Sequence, residues 1–498
     1  MSKNYMKINP NDNVVVILQN VSKGIEIAGV TALEDIHFGH KLAIKPIKSG
    51  ENILKYGFPI GHATQDIAAG EWIHTHNVKT NLNDVKNYDY KPVTLSTFQL
   101  TNDDRQTFQG YTRENGEVGI REDLYIVPTV GCVNQTAQRI LDTFSKDYPE
   151  LSSIFDNQII PKHPYGCSQL GKDHEQTKDF LARLTMHPNA GGVLVLGLGC
   201  ENNTIDAFKT RLEEMGGINP NRVKFLIAQM SEDEIADGIQ LLVEIAKHAQ
   251  QDKRTAVPIS KLRVGLKCGG SDGFSGITAN PLLGLFSDYL TNHGGTSVLT
   301  EVPEMFGAEE ILMSRAENQA VFEKIVTMIN DFKSYFLANN EPVYENPSPG
   351  NKAGGITTLE DKSLGCTQKS GNAKVVDVLN YTDKLKKNGL NLLEAPGNDL
   401  VAASALAVSG CHLILFTTGR GNPFGTFVPT IKVSSNTELA THKSNWIDFD
   451  AGVFLSQSKE DVLREFVTKV LDIANGELAK NERNGYQEIA IFKKGITL

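Results

Sequence analysis

Residues 71 to 81 read EWIHTHNVKTN, with His74 and His76 two apart, Asn77 directly after them and Lys79 close behind. In a strand, side chains at i and i+2 leave from the same face, so two imidazoles placed this way can meet one metal ion or one anion. The plainer alternative is a polar strand edge. Farther along, CGGSDGFSGITANP sets Ser271, Asp272, Ser275 and Asn280 behind an apolar run, where a capped helix start would use the same residue types. TEVPEMFGAEE brings Glu301 and Glu304 to a strand end, one of them as base or metal ligand, or both as charge at a helix N-terminus. TTGRGNPFG places Arg420 on a glycine turn, a geometry suited to a bidentate grip on a carboxylate.

The densest polar stretch is YENPSPGNKAGGITTLEDKSLGCTQKSG, residues 344 to 371, which gathers Lys352, Lys362, Lys369, Glu360, Asp361 and Cys366 around ordered glycines. Gly-rich turns expose backbone amides that make anion nests, and the lysines add charge, so carboxylate binding is the expectation and a plain surface loop its rival. The six cysteines, Cys132, Cys167, Cys200, Cys268, Cys366 and Cys411, have no CxxC spacing, which argues against a disulfide framework or a zinc ribbon. Each touches a glycine in sequence, as expected of tight turns at strand ends.

The elements that must position these groups fall into two grammars. Up to about residue 85, short β-type runs such as NVVVILQ and ENILKYGFPIGHA alternate with Gly and Asn/Asp turns, giving a small β domain. Residues 86 to 105 read as a linker. From 106 onward strand, glycine turn and helix alternate: DLYIVPTVGC before a helix carrying Ala137, Ile140, Leu141 and Phe144, then GGVLVLGLGC before NTIDAFKTRLEEMGG. NRVKFLIAQM precedes a helix from Ser231 to His248, where SEDE reads as a capping box. Near-continuous apolar strands between helices imply an α/β region with a mainly parallel sheet covered on both faces. The expected division is 106–345 and 346–498. Cys132, Cys200 and Cys268 then stand at carboxyl ends of strands, as candidates for one cleft.

The formal charge of −10 argues against a nucleic-acid or anionic-membrane binder. The N-terminal apolar run is too short for a signal-peptide core, and no uncharged apolar stretch approaches membrane-spanning length, so a cytoplasmic enzyme or binding protein is expected. Gly197 and Gly199 give G-x-G, but Asn202 stands where a dinucleotide fingerprint needs its third glycine, which counts against NAD.

Across essentially the whole chain the sequence resembles the altronate and galactarate dehydratase family. The resemblance is carried by GHKLAIKPI, KYGFPIG, IHTHN, PTVGCVN, YGCSQLG, LGLGCENN, CGGSDGFSGITANP, TEVPEMFGAE, the 345–371 segment, APGND, TTGRG and NWIDFDAG, the last with Asn445 where the family pattern has histidine. It implies an N-terminal SAF-type domain, loss of water from D-altronate to give 2-dehydro-3-deoxy-D-gluconate in hexuronate catabolism, and a divalent metal, Fe(II) or else Mn(II). The IHTHN stretch leans toward altronate over galactarate or another sugar acid.

Such a dehydration removes a proton beside a carboxylate, stabilises the enediolate and protonates a departing hydroxyl. On this reading His40 is the acid or base, with Lys41 and Lys55 as electrostatic partners. His74 and His76 are metal ligands, with Cys366 or Glu301 as a third. Arg420 and the amides of Gly354 and Gly355 hold the carboxylate, and Asn77, Asp272, Asn280 and Lys352 line the substrate. A second metal arrangement has Cys132, Cys167, Cys200 and Cys268 supplying thiolates to an iron–sulfur cluster. A nicotinamide oxidoreductase and a non-catalytic sugar-acid binder are the other readings, and a homodimer is the default assembly.

Overall fold

The computed structural model describes residues 4–82, 85–101, 103 and 105–495. The first unit is β-rich, as its turn signals imply. One antiparallel sheet runs in the order Tyr5–Met6, Val14–Ile17, Lys41–Ala43, Trp72–Ile73, and a second in the order Asn52–Lys55, Phe58–Ala63, Val78–Lys79. Strand alternation splits the interior in two. Val15, Ile17 and Leu42 face one small core, while Val14, Ala43, Ile53 and Ile73 face another that also takes in Ala308 and Leu364 from the later chain.

The α/β region holds two parallel sheets. The smaller is ordered Gln158–Ile159, Asp123–Pro128, Ala190–Gly197, Val223–Ile227. The larger has seven strands, ordered Val375–Leu379, Gly389–Leu393, Thr296–Leu299, Arg263–Cys268, Leu413–Thr418, Thr430–Ser434, Phe449–Asp450. This corrects the expected division at 345: the strands at 263–268 and 296–299 pair with strands beyond 375, so no boundary falls there, and Thr255–Pro258 pairs back with the strand Thr107–Thr112. A polar insertion separates the larger sheet's partners in sequence, which is why local pattern placed the break inside it. The helices Gly171–Thr185 and Asp399–Val408 pack between the sheets, and one apolar core runs from Tyr125 and Val193 to Leu393 and Ile414.

Two local expectations also shift. The helix expected at Ser231 begins at Glu234, capped by Asp233, whose carboxylate accepts the amides of Ile235 and Ala236. Asp233 lies closer to the first turn and Ser231 instead bonds Asp237. The stretch read as a linker is tethered along the large domain by Tyr88 to Glu309, Tyr90 to the Ala316 carbonyl and Phe98 to Asp288.

Candidate active site

The β-rich unit meets the larger sheet through glycines. A Cβ at Gly273 would lie 1.9 Å from the Gly39 carbonyl oxygen, and one at Gly355, where φ is +98°, would lie 2.4 Å from the same atom. Backbone therefore touches backbone at three separate stretches, and His40 and Lys41 follow directly behind the contact. Between them opens a cavity of about 480 Å³ lined by His37, His40, Asp272, Gly354, Arg420 and His442, among others. That is within the range of small-molecule sites, roughly 300–1,000 Å³.

His40 is buried. Its Nδ1 accepts the Trp72 indole N–H at 3.1 Å, and its Nε2 lies 3.4 Å from the Ala353 carbonyl, so the ring carries its proton on Nε2. Burial, and then the Lys41 charge, pull its pKa down to about 4. His74 lies beside it, ring centroids 5.1 Å apart, and is lowered to about 4 by burial and by Lys41. Lys41 donates to the Gly355 carbonyl at 2.6 Å and to Asp361 at 2.9 Å, and Lys55 donates to the other Asp361 oxygen at 2.9 Å. One fully buried carboxylate thus serves two buried ammonium groups. Burial brings Lys41 down to about 8 against the pull of Asp361, whereas at Lys55 burial is outweighed and Asp361 holds it above the ordinary lysine range. Asp361 stays well below the usual carboxylate range despite burial, because both lysines face it.

Asp361 belongs to the helix Leu359–Cys366, which carries a second cluster at its other end. The Cys366 sulfur is 3.3 Å from that of Cys268 and 3.2 Å from Glu304 Oε2, which also lies 3.0 Å from Cys268. Lys362 pairs with Glu304 at 2.7 Å. Against the cost of burial, Lys362 and Lys369 hold Glu304 down to about 2, while the Cys366 thiol is pushed well up by its hydrogen bond with Cys268 and by burial. Glu301 adopts the left-handed conformation (φ 69°, ψ 61°), a strain on the order of 1–3 kcal/mol. Its carboxylate accepts the Cys268 amide at 2.9 Å and faces Lys267 and Lys369 at 3.0 and 3.3 Å, contacts that hold the backbone there.

The residues expected from the sequence sort as follows. His40 lines the cleft with Arg420 exposed at its wall, while Lys41 and Lys55 are buried behind it on Asp361 and do not line it. His74 and His76 do not leave one strand face: the strand ends at Ile73, and the Asn77 side chain accepts the His74 amide and donates to the Trp72 carbonyl, turning the chain. Both rings lie against Trp72, His76 exposed, and neither joins Cys366 or Glu301. Among the described residues, the group of three or more with ligand atoms within 4.8 Å of one another is Cys268, Glu304 and Cys366. Two sulfurs and a carboxylate are donors that suit a divalent transition ion.

Several expected substrate contacts are structural instead. The amides of Gly354 and Gly355 are spent on carbonyls of the preceding helical turn, so they form no anion nest. Asn77 holds its own turn. Asn280 bridges the Gly365 carbonyl and Thr417. Asp272 lies on the cavity wall, but its carboxylate is saturated by Ser275, Phe274, Ser435 and Asn436. Lys352 is half-buried on the short helix Pro349–Ala353. The four proposed cluster thiolates are divided: Cys268 is buried on the larger sheet, while Cys132, Cys167 and Cys200 are exposed on loops of the smaller. The expectation of one cleft shared by Cys132, Cys200 and Cys268 therefore fails. Sequence reasoning missed Trp72, whose indole fixes the His40 tautomer, and gave Asp361 no role; a tryptophan two residues before His74 was the available signal.

Three family profiles cover this architecture. The one described as Altronate/galactarate dehydratase SAF domain matches residues 3–81, D-galactarate dehydratase/Altronate hydrolase, second domain, matches 110–250, and D-galactarate/Altronate dehydratase, C-terminal, matches 259–497. The chain belongs to the altronate and galactarate dehydratase family. It is 56% identical to the altronate dehydratase of Bacillus subtilis (strain 168), with all of both chains covered. It is 53% identical to that of Escherichia coli (strain K12) over 99% of this chain and 100% of the relative. The galactarate dehydratase (L-threo-forming) of Escherichia coli is 32% identical, covering 95% of this chain and 93% of its own. The second and third profiles meet between residues 250 and 259, which likewise leaves no division at 345.

Proposed function

We propose that this chain dehydrates D-altronate to 2-dehydro-3-deoxy-D-gluconate in hexuronate catabolism. The observation that carries the choice of substrate is the full-length identity of 56% and 53% to two altronate dehydratases, against 32% to a galactarate dehydratase.

The cleft suits the chemistry. Arg420 offers a guanidinium to the substrate carboxylate. His40, neutral and held by Trp72, is the group that exchanges a proton with substrate carbon or oxygen. An anion bound beside it offsets the Lys41 field, which raises the imidazole from its resting value toward one useful for proton transfer. Lys41, at about 8 and braced by Asp361, brings positive charge close to the developing enediolate. His37 and His442 line the same cavity and are the candidates for protonating the leaving hydroxyl. The enol then ketonises without a redox cofactor. A divalent ion, Fe(II) on this reading, would be held by Cys268, Cys366 and Glu304, and when bound supplies Lewis-acid stabilisation of oxygen anions. Cys268→Ser and Cys366→Ser should each lower bound iron per chain, read by elemental analysis after anaerobic loading.

The substrate assignment is tested by comparing kcat/KM for D-altronate and galactarate with anaerobically iron-loaded protein. A preference for altronate of about 100-fold or more is expected from a site built to match one pattern of hydroxyls. Equal use of both, or preference for galactarate, would refute it.

A further inference from the structure

Cys132, Cys167 and Cys200 take no part in the cleft, and all three are free and exposed. They occupy one place in the fold. Cys132 follows the strand Asp123–Pro128 and Cys200 follows Ala190–Gly197, while Cys167 lies on the segment leaving Gln158–Ile159. These are three adjacent parallel strands, and the cysteines stand beyond their carboxyl ends, where open α/β sheets gather ligands.

The loops are locked together at the residues beside the sulfurs. The Gly131 amide donates to the Tyr165 carbonyl at 2.8 Å, the Asn203 amide to the Gly166 carbonyl at 3.0 Å, and the Ser168 amide to the Asn202 side chain at 2.9 Å. The glycine before each cysteine is what permits this. A Cβ at Gly131 would meet the His163 carbonyl at 2.6 Å, one at Gly166 would meet that of Thr129 at 2.0 Å, and Gly199 has φ of +126°. Gln229, just past the fourth strand, donates to the Cys200 sulfur at 3.6 Å. Asn203 is fully buried in the same junction, and its Oδ1 has no hydrogen-bond partner among the described residues.

We propose that Cys132, Cys167 and Cys200 form a three-thiolate site for an iron–sulfur cluster, separate from the Cys268–Glu304–Cys366 group. A single zinc or iron ion would need the three sulfurs in mutual contact around it, and they do not lie within 4.8 Å of one another as that group does. A cluster binds each thiolate to a different iron and so spans a wider triangle. Three thiolates leave one iron without a cysteine, open to an oxygen ligand such as water, a hydroxyl or a carboxylate. The site does not depend on the altronate assignment, and its test does not use turnover.

The test is anaerobic reconstitution of the full-length protein with ferrous iron and sulfide, followed by iron and acid-labile sulfide analysis and the visible absorption spectrum. Wild type should retain about four sulfides per chain and about four irons beyond the one held at Cys268, Glu304 and Cys366, with the brown absorption of a cluster. Cys132→Ser, Cys167→Ser and Cys200→Ser together should lower sulfide at least tenfold without changing the unfolding temperature, since the replaced groups are exposed. Cys411→Ala and Cys268→Ala should keep it. Sulfide persisting in the triple variant would overturn the site, and so would wild type that binds metal with no labile sulfide.

Discussion

His40 is set by its neighbours: Trp72 occupies one nitrogen, the Ala353 carbonyl faces the other, and burial together with the Lys41 charge keeps the ring neutral. Replacing it with glutamine keeps a polar group of similar reach but removes proton transfer, so His40→Gln should lower kcat on D-altronate by about 10²- to 10⁴-fold, with KM changed far less. The same depression bears on stability. His40 and His74 have folded pKa values of about 4, below the ordinary 6.5, so the unfolded chain binds more protons between those values. Stability should therefore fall as pH drops from about 6.5 to about 4, measured by denaturant midpoints across that window, and a His40→Gln/His74→Gln variant should show a flatter profile. The sequence names His40, Lys41 and Cys366 as groups the implied dehydration would need, and the fold sets His40 on the cavity wall, Lys41 behind it and Cys366 beside Cys268 and Glu304. The sequence misled at His74 and His76, since alternation predicts a shared face only while the strand continues, and Asn77 ends it. It misled again at Gly354 and Gly355, whose amides close a helical turn.

The helix Leu359–Cys366 reaches both clusters, Asp361 toward the lysines and Lys362 and Cys366 toward Glu304. Asp361→Asn leaves two buried ammonium groups without their carboxylate and should destabilise the fold by about 3–5 kcal/mol, read from equilibrium unfolding. Gly273→Ala forces a Cβ onto the Gly39 carbonyl and should cost at least about 1–3 kcal/mol. Because it displaces the turn that carries His40, it should also lower kcat/KM. The strands and helices of the α/β region were legible from their apolar periods, which the buried strands at 123–128, 190–197 and 263–268 follow. What local pattern could not supply was pairing. The partnership of 263–268 with 413–418 spans a polar insertion, and the helix at 359–366 is buried on nearly every side because its charged residues find partners from the β-rich unit.

In the whole molecule, the β-rich unit completes the site. It brings His40, Lys41, Lys55 and Trp72, while turns beyond the larger sheet's strands bring Asp272 and Arg420 and the helix Leu359–Cys366 brings Asp361, and glycine contacts set the spacing between them. No helix among the described residues is long and apolar enough to cross a membrane. If His40 carries the loss of water from D-altronate in this cleft, its replacement must stop product formation. An anaerobic NMR time course of D-altronate with iron-loaded wild type and His40→Gln side by side decides this. 2-Dehydro-3-deoxy-D-gluconate should accumulate with wild type, and at no more than about one-hundredth of that rate with the variant. Unchanged altronate with wild type, or equal rates from the two proteins, would contradict it.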